Sequence, residues 1–344
     1  MEKIDYLKEF TGFHKYDDVK SILVLGNTEL HPKYSIVIPT YKRPDLLKSA
    51  LNSCLNQMYT NFTITVVDNE EGDLNSSKTY ELIKSIHNER IIYYKNERNI
   101  GIYANTLRAF ELADSEYVTL LNDDDLLHPL YLQVLDTFVS RYKVKGLIGA
   151  MPCNFIGDKI PQPVFKSKNE IICLKITPAL FYHDFCITSP GTTFKKENLS
   201  NIYNPYEDLL MGDQIMQYKS IRKYGLYRIE APLAFYRHSR NATLKNDVII
   251  SMMYNMCKLK EQVAKSSPLL WLYHILFKKE IYFEYVRSFV CGWHKEHLLL
   301  PIMKKLGIEN YPLRFGRKMY ARNFVMRFFS RLKKQWPDKC KIRL

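Results

Sequence analysis

Between residues 34 and 121, short apolar runs alternate with amphipathic stretches, and that alternation leaves few folds open. Tyr34-Ser-Ile-Val-Ile-Pro39 is an apolar run closed by proline, which reads as a buried strand. Pro44 to Gln57 follows, with Leu46, Leu47, Ala50, Leu51, Cys54 and Leu55 at helical spacing and Pro44 suited to a first turn. Phe62 to Val67, Ile91 to Tyr94 and Tyr117 to Leu121 repeat the strand pattern. Ser77 to Ile86 and Ile102 to Ala113 repeat the helical one. Alternation of this kind predicts an α/β fold, a mostly parallel sheet covered by helices. After about residue 145 the pattern thins. Leu147 to Met151 and Ile171 to Leu174 read as strands, Asp213 to Tyr224 as a helix, and the chain from Val248 onward as helical. Residues 1–33 read as a polar, partly helical lead-in.

In open α/β sheets, ligands bind beyond the C-terminal ends of the strands. Those ends carry Pro39-Thr40-Tyr41, Asp68-Asn69, Asn96-Glu97-Arg98-Asn99 and Asn122-Asp123-Asp124-Asp125. Three consecutive carboxylates repel one another, and a strand end tolerates them best beside a cation. Oxygen-only clusters suit Mg²⁺ or Mn²⁺, which also bind phosphates. Asp68 could accept from a base or ribose. Arg98, ahead of Gly101 and a helix start, could face a phosphate. Each feature also has a plain reading, as a solvated turn or a loop cap; their common position is what argues for a nucleotide.

Taken in order, Ile-Val-Ile-Pro39-Thr40-Tyr41-x-Arg43, Val-Val-Asp68-Asn69, Arg98-Asn99-x-Gly101 and Leu-Asn122-Asp123-Asp124-Asp125-x-x-x-Pro129 resemble the nucleotide-binding half of family 2 glycosyltransferases, over roughly residues 34–140. The resemblance implies the GT-A fold and an inverting transfer from a nucleotide diphosphate sugar, UDP-linked by default, with Mn²⁺ or Mg²⁺. It implies that Pro39, Thr40, Tyr41, Arg43, Asp68, Arg98, Asn99, Gly101, Asn122 and Asp123 contact the donor. It implies Asp124, Asp125 and His238 at the metal. The family pattern Asp-x-Asp-Asp has Asn122 at its first position here, so which acids bind the metal stays open between Asp124 and an Asp123 with Asp125 pairing. Ser189-Pro-Gly191-Thr192 resembles the acceptor-side segment, and Phe235-Tyr236-Arg237-His238 the closing one. Gly212-Asp213-Gln214 resembles the segment of the catalytic base, which makes Asp213 the candidate; Glu207-Asp208 is the alternative. Asp213 could also be a mere helix cap.

These segments divide the chain into the lead-in, a catalytic domain over 34–245 (34–140 for the nucleotide, 141–245 for the acceptor) and a helical region over 246–344. The expected acceptor is a glycan or a lipid-linked saccharide of bacterial surface-polysaccharide assembly. Seven scattered cysteines without a C-x-x-C pair argue for reduced thiols and a cytoplasmic setting. No apolar run reaches 18 residues, so no spanning helix is expected. Met1-Glu2-Lys3-Ile4-Asp5 does not open a secretory signal.

The net charge is +14, and from Tyr311 to Leu344 eleven Lys or Arg face one acid, Asp338, so this tail alone carries +10. Tyr320, Phe324, Phe328 and Leu332 recur every four residues among those cations. That pattern predicts a basic amphipathic helix lying on the anionic inner face of the plasma membrane. Two other functions compete. A nucleotidyltransferase would use similar carboxylates, but no Gly-rich basic loop follows the first strand. A nucleic-acid module could use the tail's cations with Phe315, Phe324, Phe328, Phe329 and Trp336, but it leaves the acidic cluster idle, so nucleic acid is not expected as a partner.

Overall fold

The computed structural model describes residues 4–163, 165, 170–184, 186–206, 211–238 and 245–311, and the backbone of 339–342. The alternating segment forms β2 (Tyr34–Thr40), α1 (Pro44–Leu55), β3 (Phe62–Asp68), α2 (Lys78–Ile86), β4 (Ile91–Asn96), α3 (Ile102–Leu112) and β5 (Tyr117–Leu120). β2 pairs in parallel with both β3 and β5, and β3 with β4. The lead-in adds an antiparallel edge strand, β1 (Ser21–Leu25), beside β4. The reading of residues 1–33 as a polar, partly helical lead-in misses this strand, since Ile22 to Leu25 is a short apolar run whose strand form comes from pairing with β4.

The rest extends the same sheet. β6 (Leu126–Leu127), α4 (Tyr131–Tyr142), β7 (Leu147–Phe155), β8 (Ile171–Ile176), α5 (Pro178–Tyr182), β9 (Thr192–Lys195), α6 (Leu199–Ile202), α7 (Gly212–Lys223) and β10 (Leu226–Arg237) follow in turn. The sheet order is β1-β4-β3-β2-β5-β9-β7-β10-β8-β11, with β6 beside β10 and β11 (Lys339–Ile342) at the far edge. β9 lies antiparallel between β5 and β7, and β7 is parallel to β10. β2, β3, β4, β5, β7 and β10 therefore all run one way, against β1, β6, β8 and β9. The sheet is mixed but mostly of one direction, as the alternation predicts.

Side chains alternate across the strands, so both faces need cover. Ile36, Ile38, Ile64, Val66 and Tyr93 pack with Leu47 and Leu51 of α1 and Leu135 and Phe138 of α4. Val37, Val67 and Ile92 point the other way, into a core with Leu107 and Phe110 of α3 and Ile215 of α7. That second core continues into α8 (Asn246–Ala264), α9 (Pro268–Gly292) and α10 (Leu299–Lys305) through Met253, Cys257, Val286 and Ile302. Full burial of such an aliphatic side chain contributes about 1.5–3 kcal/mol, and these contacts hold the helical region on the sheet.

β10 is the longest strand described, and the sequence reading sees only its last residues. Arg228, Glu230 and Pro232 break its apolar pattern. Pro232 is tolerated because the register with β7 shifts on both sides of it. Of the basic tail expected to be helical over residues 311–344, residues 312–338 lie outside the described residues, and Lys339–Ile342 is not helical but pairs antiparallel with β8. No helix among the described residues is long and apolar enough to cross a membrane.

Candidate active site

A cleft of about 650 Å³ opens at the C-terminal ends of β2 and β5, where the topology puts ligands. Its first wall carries Pro39, Thr40, Tyr41 and Arg43 after β2, and Asn122, Asp123 and Asp124 after β5. Asn99 and Gly101 reach it from the start of α3, and Asp213 from the start of α7. Ten of the expected site residues thus face one space.

The acidic turn is held from several sides. Thr40 Oγ1 donates to Asp123 Oδ2 at 2.8 Å. Arg43 Nη1 stands 3.4 Å from both Asp123 Oδ1 and Asp124 Oδ2. Arg237, at the end of β10, donates Nε–H to the carbonyl of Asp124 at 2.8 Å and its backbone N–H to Asp125 Oδ1 at 2.9 Å. Burial pushes the Asp123 carboxyl up to about 6, with Arg43 and Thr40 opposing it. Burial also raises Asp124, again against Arg43. Burial and the neighbouring Asp124 charge push Asp125 up to about 7.

These groups fit a divalent cation. Charge-assisted hydrogen bonds close at about 2.7–2.9 Å, so at 3.4 Å Arg43 satisfies neither carboxylate fully. A buried acid held above its ordinary range gains from a cation that replaces its proton. Among the described residues no three His, Cys, Asp or Glu side chains form a metal cage. One or two carboxylates completed by phosphate oxygens and water are the usual set for Mg²⁺.

Asp125 does not take the metal-facing place expected of it. It is fully buried, lies outside the cleft lining, and accepts from Asn122 Nδ2 at 2.8 Å as well as from Arg237. Its carboxylate ties the acidic turn to β10. Asp68 is likewise turned inward, where Oδ1 accepts from the Glu70 N–H and Oδ2 from the Tyr93 hydroxyl, both at 2.9 Å. Arg98 faces Asp18 of the lead-in, with two contacts at 3.0 Å, and does not line the cleft. Gly191 and Thr192 sit behind Ser189, which does line it. The Gly191 carbonyl accepts from the Tyr131 hydroxyl, its φ is +78°, and a Cβ there would meet the Tyr131 ring at 2.8 Å. That backbone conformation and close approach require glycine. His238 packs its ring between Tyr236 and Trp293, at 4.9 and 5.3 Å, so it backs two lining residues without lining the cleft itself.

Asn69 organises the wall that sequence reasoning credits to Asp68. Its Nδ2 donates to Asn99 Oδ1 at 2.8 Å, and its Oδ1 accepts from Asn96 Nδ2 and the Ile100 N–H at 3.0 Å. Asn96 also donates to Asn105 Oδ1 at 2.8 Å. Asn69→Ala removes the acceptor of the buried Ile100 N–H, at about 1–3 kcal/mol for a group left unsatisfied, while Asn96 keeps Asn105 and Asn99 keeps the Gly101 N–H. A loss of roughly 2 kcal/mol is expected in urea unfolding; an unchanged midpoint would contradict this role.

Asp213 stands in the first turn of α7, one residue past its first, so it is not the cap; Met211 holds that position. Its Oδ1 accepts from the Gln214 N–H at 2.9 Å. It is open to the cleft yet ringed by protein, and that enclosure raises its pKa. Gly212 before it has no room for a side chain, since a Cβ would meet Tyr103 at 2.9 Å and Asn204 at 3.0 Å. Glu207 and Asp208 lie outside the described residues. The far wall comes from α8 and α9, with Met252, Met256, Tyr285, Phe289 and Trp293. Sequence reading gives these no role, because helical spacing alone does not separate a cleft wall from a core.

Residues 35–202 match the family model described as Glycosyl transferase family 2. An uncharacterized glycosyltransferase of Methanocaldococcus jannaschii is 37% identical over 30% of this chain and 35% of its own length. The poly(ribitol-phosphate) β-N-acetylglucosaminyltransferase TarP of Staphylococcus aureus is 26% identical over 44% of this chain and 46% of its own. The chain thus spans a third to a half of these relatives. Among solved structures, S. aureus TarS in complex with UDP-GlcNAc superposes with a TM-score of 0.55 at 17% identity, covering 79% of each chain. That likeness extends the shared fold well past the matched segment. Over residues 35–202, just under half of its length, the chain matches the family 2 glycosyltransferases, and its sheet has the GT-A fold that TarS shares.

Proposed function

We propose that the chain is an inverting, metal-dependent transferase that moves a sugar from a nucleotide diphosphate donor, UDP-linked, onto an acceptor hydroxyl. The observation that carries this is one cleft lined by both a buried acidic pair, Asp123 and Asp124, and a separate carboxylate, Asp213, on another element. An inverting displacement needs charge stabilisation at the leaving diphosphate and a base at the attacking hydroxyl. One or two carboxylates at one end and one at the other meet both needs.

In this reading Pro39, Thr40, Tyr41, Asn99 and Gly101 hold the nucleoside, and Asn122 and Asp123 its ribose. Arg43 faces the diphosphate. Asp124, with Asp123, holds Mn²⁺ or Mg²⁺, which when bound neutralises the leaving diphosphate. His238 steadies the cleft wall through Trp293. Asp213 takes the acceptor proton, and its raised pKa makes it a stronger base than an ordinary carboxylate. The start of α7 and the α8–α9 wall receive the acceptor, a glycan or lipid-linked saccharide of bacterial surface polymers. TarP, named for poly(ribitol-phosphate), supports that class. TarS in complex with UDP-GlcNAc supports the UDP donor. We place 34–245 as the catalytic domain, and its action at the cytoplasmic membrane face with the basic tail as one contact.

A thermal-shift screen of nucleoside diphosphates, each with and without Mn²⁺, tests the donor side. A ligand at 100 times its Kd stabilises by about 2.7 kcal/mol, so UDP with Mn²⁺ is expected to raise Tm by several degrees. No shift with any nucleotide would overturn the reading.

A further inference from the structure

We propose that the first half of α9 is a membrane-docking face that rests on an anionic lipid surface. Leu269, Leu272, Ile275 and Leu276 are 65%, 53%, 55% and 56% exposed. Spaced i, i+3, i+6 and i+7, they form one stripe along the helix. Leu270, Tyr273 and His274, between them, are buried in the core, so the exposed stripe is the helix's outward side.

Charge identifies the partner. From Gln262 to Lys279 there is no acid and there are three lysines. Lys265 and Lys279 are exposed at the two ends of the stripe, while Lys278 pairs with Glu261 at 3.1 Å. Lys265 also lies over the Trp271 ring, 5.5 Å from its centre. Apolar side chains between lysines match a bilayer, whose acyl boundary takes the first and whose anionic headgroups take the second. Leu269 to Phe277 rises only about 13 Å, under half of a hydrocarbon core of about 30 Å. The helix therefore lies on the surface and does not cross. Phe277 leaves helical geometry, with φ −123° and ψ 20°, and so separates this half from the next. The second half of the same helix supplies Tyr285 and Phe289 to the cleft, and Trp293 follows at its C-terminal cap. One helix thus joins a lipid contact to the wall of the cleft. The inference rests on α9 alone and does not require the transferase reading or residues 312–344.

The test uses the full chain with Trp293 and Trp336 changed to Phe, which leaves Trp271 the sole tryptophan of three. Vesicles of phosphatidylglycerol and phosphatidylcholine carry bromine on their acyl chains. Trp271 emission is expected to be quenched on binding, and the basic tail cannot produce that signal. Leu272→Glu with Ile275→Glu should weaken vesicle binding at least about tenfold, the effect of 1.4 kcal/mol, and abolish quenching. Both positions are exposed, so Tm should hold. If that variant melts early, Lys265→Glu with Lys279→Glu, which keeps the stripe, should weaken binding to anionic vesicles and not to neutral ones. Binding without quenching of Trp271 overturns the proposal. So does a lipid-free dimer that Leu272→Glu with Ile275→Glu turns into monomers, since the stripe would then be an interface between copies.

Discussion

Asp213→Asn is expected to keep donor binding and melting temperature while sugar transfer falls at least about 100-fold, the scale of general-base catalysis. The substitution keeps shape and removes only the ability to take a proton. Asp213 is not the cap of α7, and its one favourable local charge effect, with the helix dipole, is worth about 0.3–1 kcal/mol. Its pKa is raised by the surrounding protein, so neutralising it also relieves a cost. Stability should therefore change little in either direction. The same shift sets a pH dependence. Only the deprotonated form accepts the hydroxyl proton, so kcat/KM should fall as pH drops through the raised pKa. The acid limb should lie above the ordinary carboxylate value of about 4, and in Asp213→Asn only the part set by the acidic turn should remain, where burial pushes Asp123 up to about 6. Near wild-type turnover in Asp213→Asn, with Asp208→Asn inactive, would move the base to the Glu207-Asp208 pair.

The nucleotide half of the fold was legible because strand period and helix period alternate cleanly from Tyr34 to Leu120, and each apolar residue reports its own burial. β10 was not, since the shifted register that accommodates Pro232 depends on β7, more than seventy residues earlier. The site divides in the same way. Thr40, Arg43, Asp123 and Asp124 meet in the cleft because their strands are neighbours, which the parallel topology already implies. Asp68 and Asp125 lie at equally suitable strand ends yet turn inward, each captured by a partner, the Tyr93 hydroxyl and the Arg237 N–H. A sequence shows that a carboxylate stands at a strand end, but not which neighbour takes its oxygens. Arg98 shows the same limit, since it pairs with Asp18 of the lead-in and does not line the cleft. Trp293 and Phe289 were illegible for another reason: a helix wall acquires a role only from the element it packs beside.

Asp124→Asn is expected to abolish Mn²⁺-dependent nucleotide binding and reduce transfer by about 10²–10³, the loss seen when one stabilising contact to developing charge is removed. Asp124 lines the cleft, and its Oδ2 has Arg43 only at 3.4 Å. Its side chain makes no link that holds the turn to β10; that link uses its carbonyl, which Asn keeps. Burial already raises its pKa, so loss of the charge should not destabilise the fold. Asp125→Asn provides the contrast. There the carboxylate is buried and accepts from both Asn122 and the Arg237 N–H, so an amide must present an N–H to one of two donors. That mismatch should lower stability by about 1–3 kcal/mol, with metal-dependent binding kept in the folded fraction. Isothermal titration of UDP with and without Mn²⁺, beside urea unfolding, separates the two variants. If Asp124→Asn binds UDP with Mn²⁺ as the wild type does, or if the wild type turns over fully in EDTA, the acidic turn is not a metal site. Arg43 would then carry the diphosphate charge alone, and Arg43→Ala would become the lethal substitution.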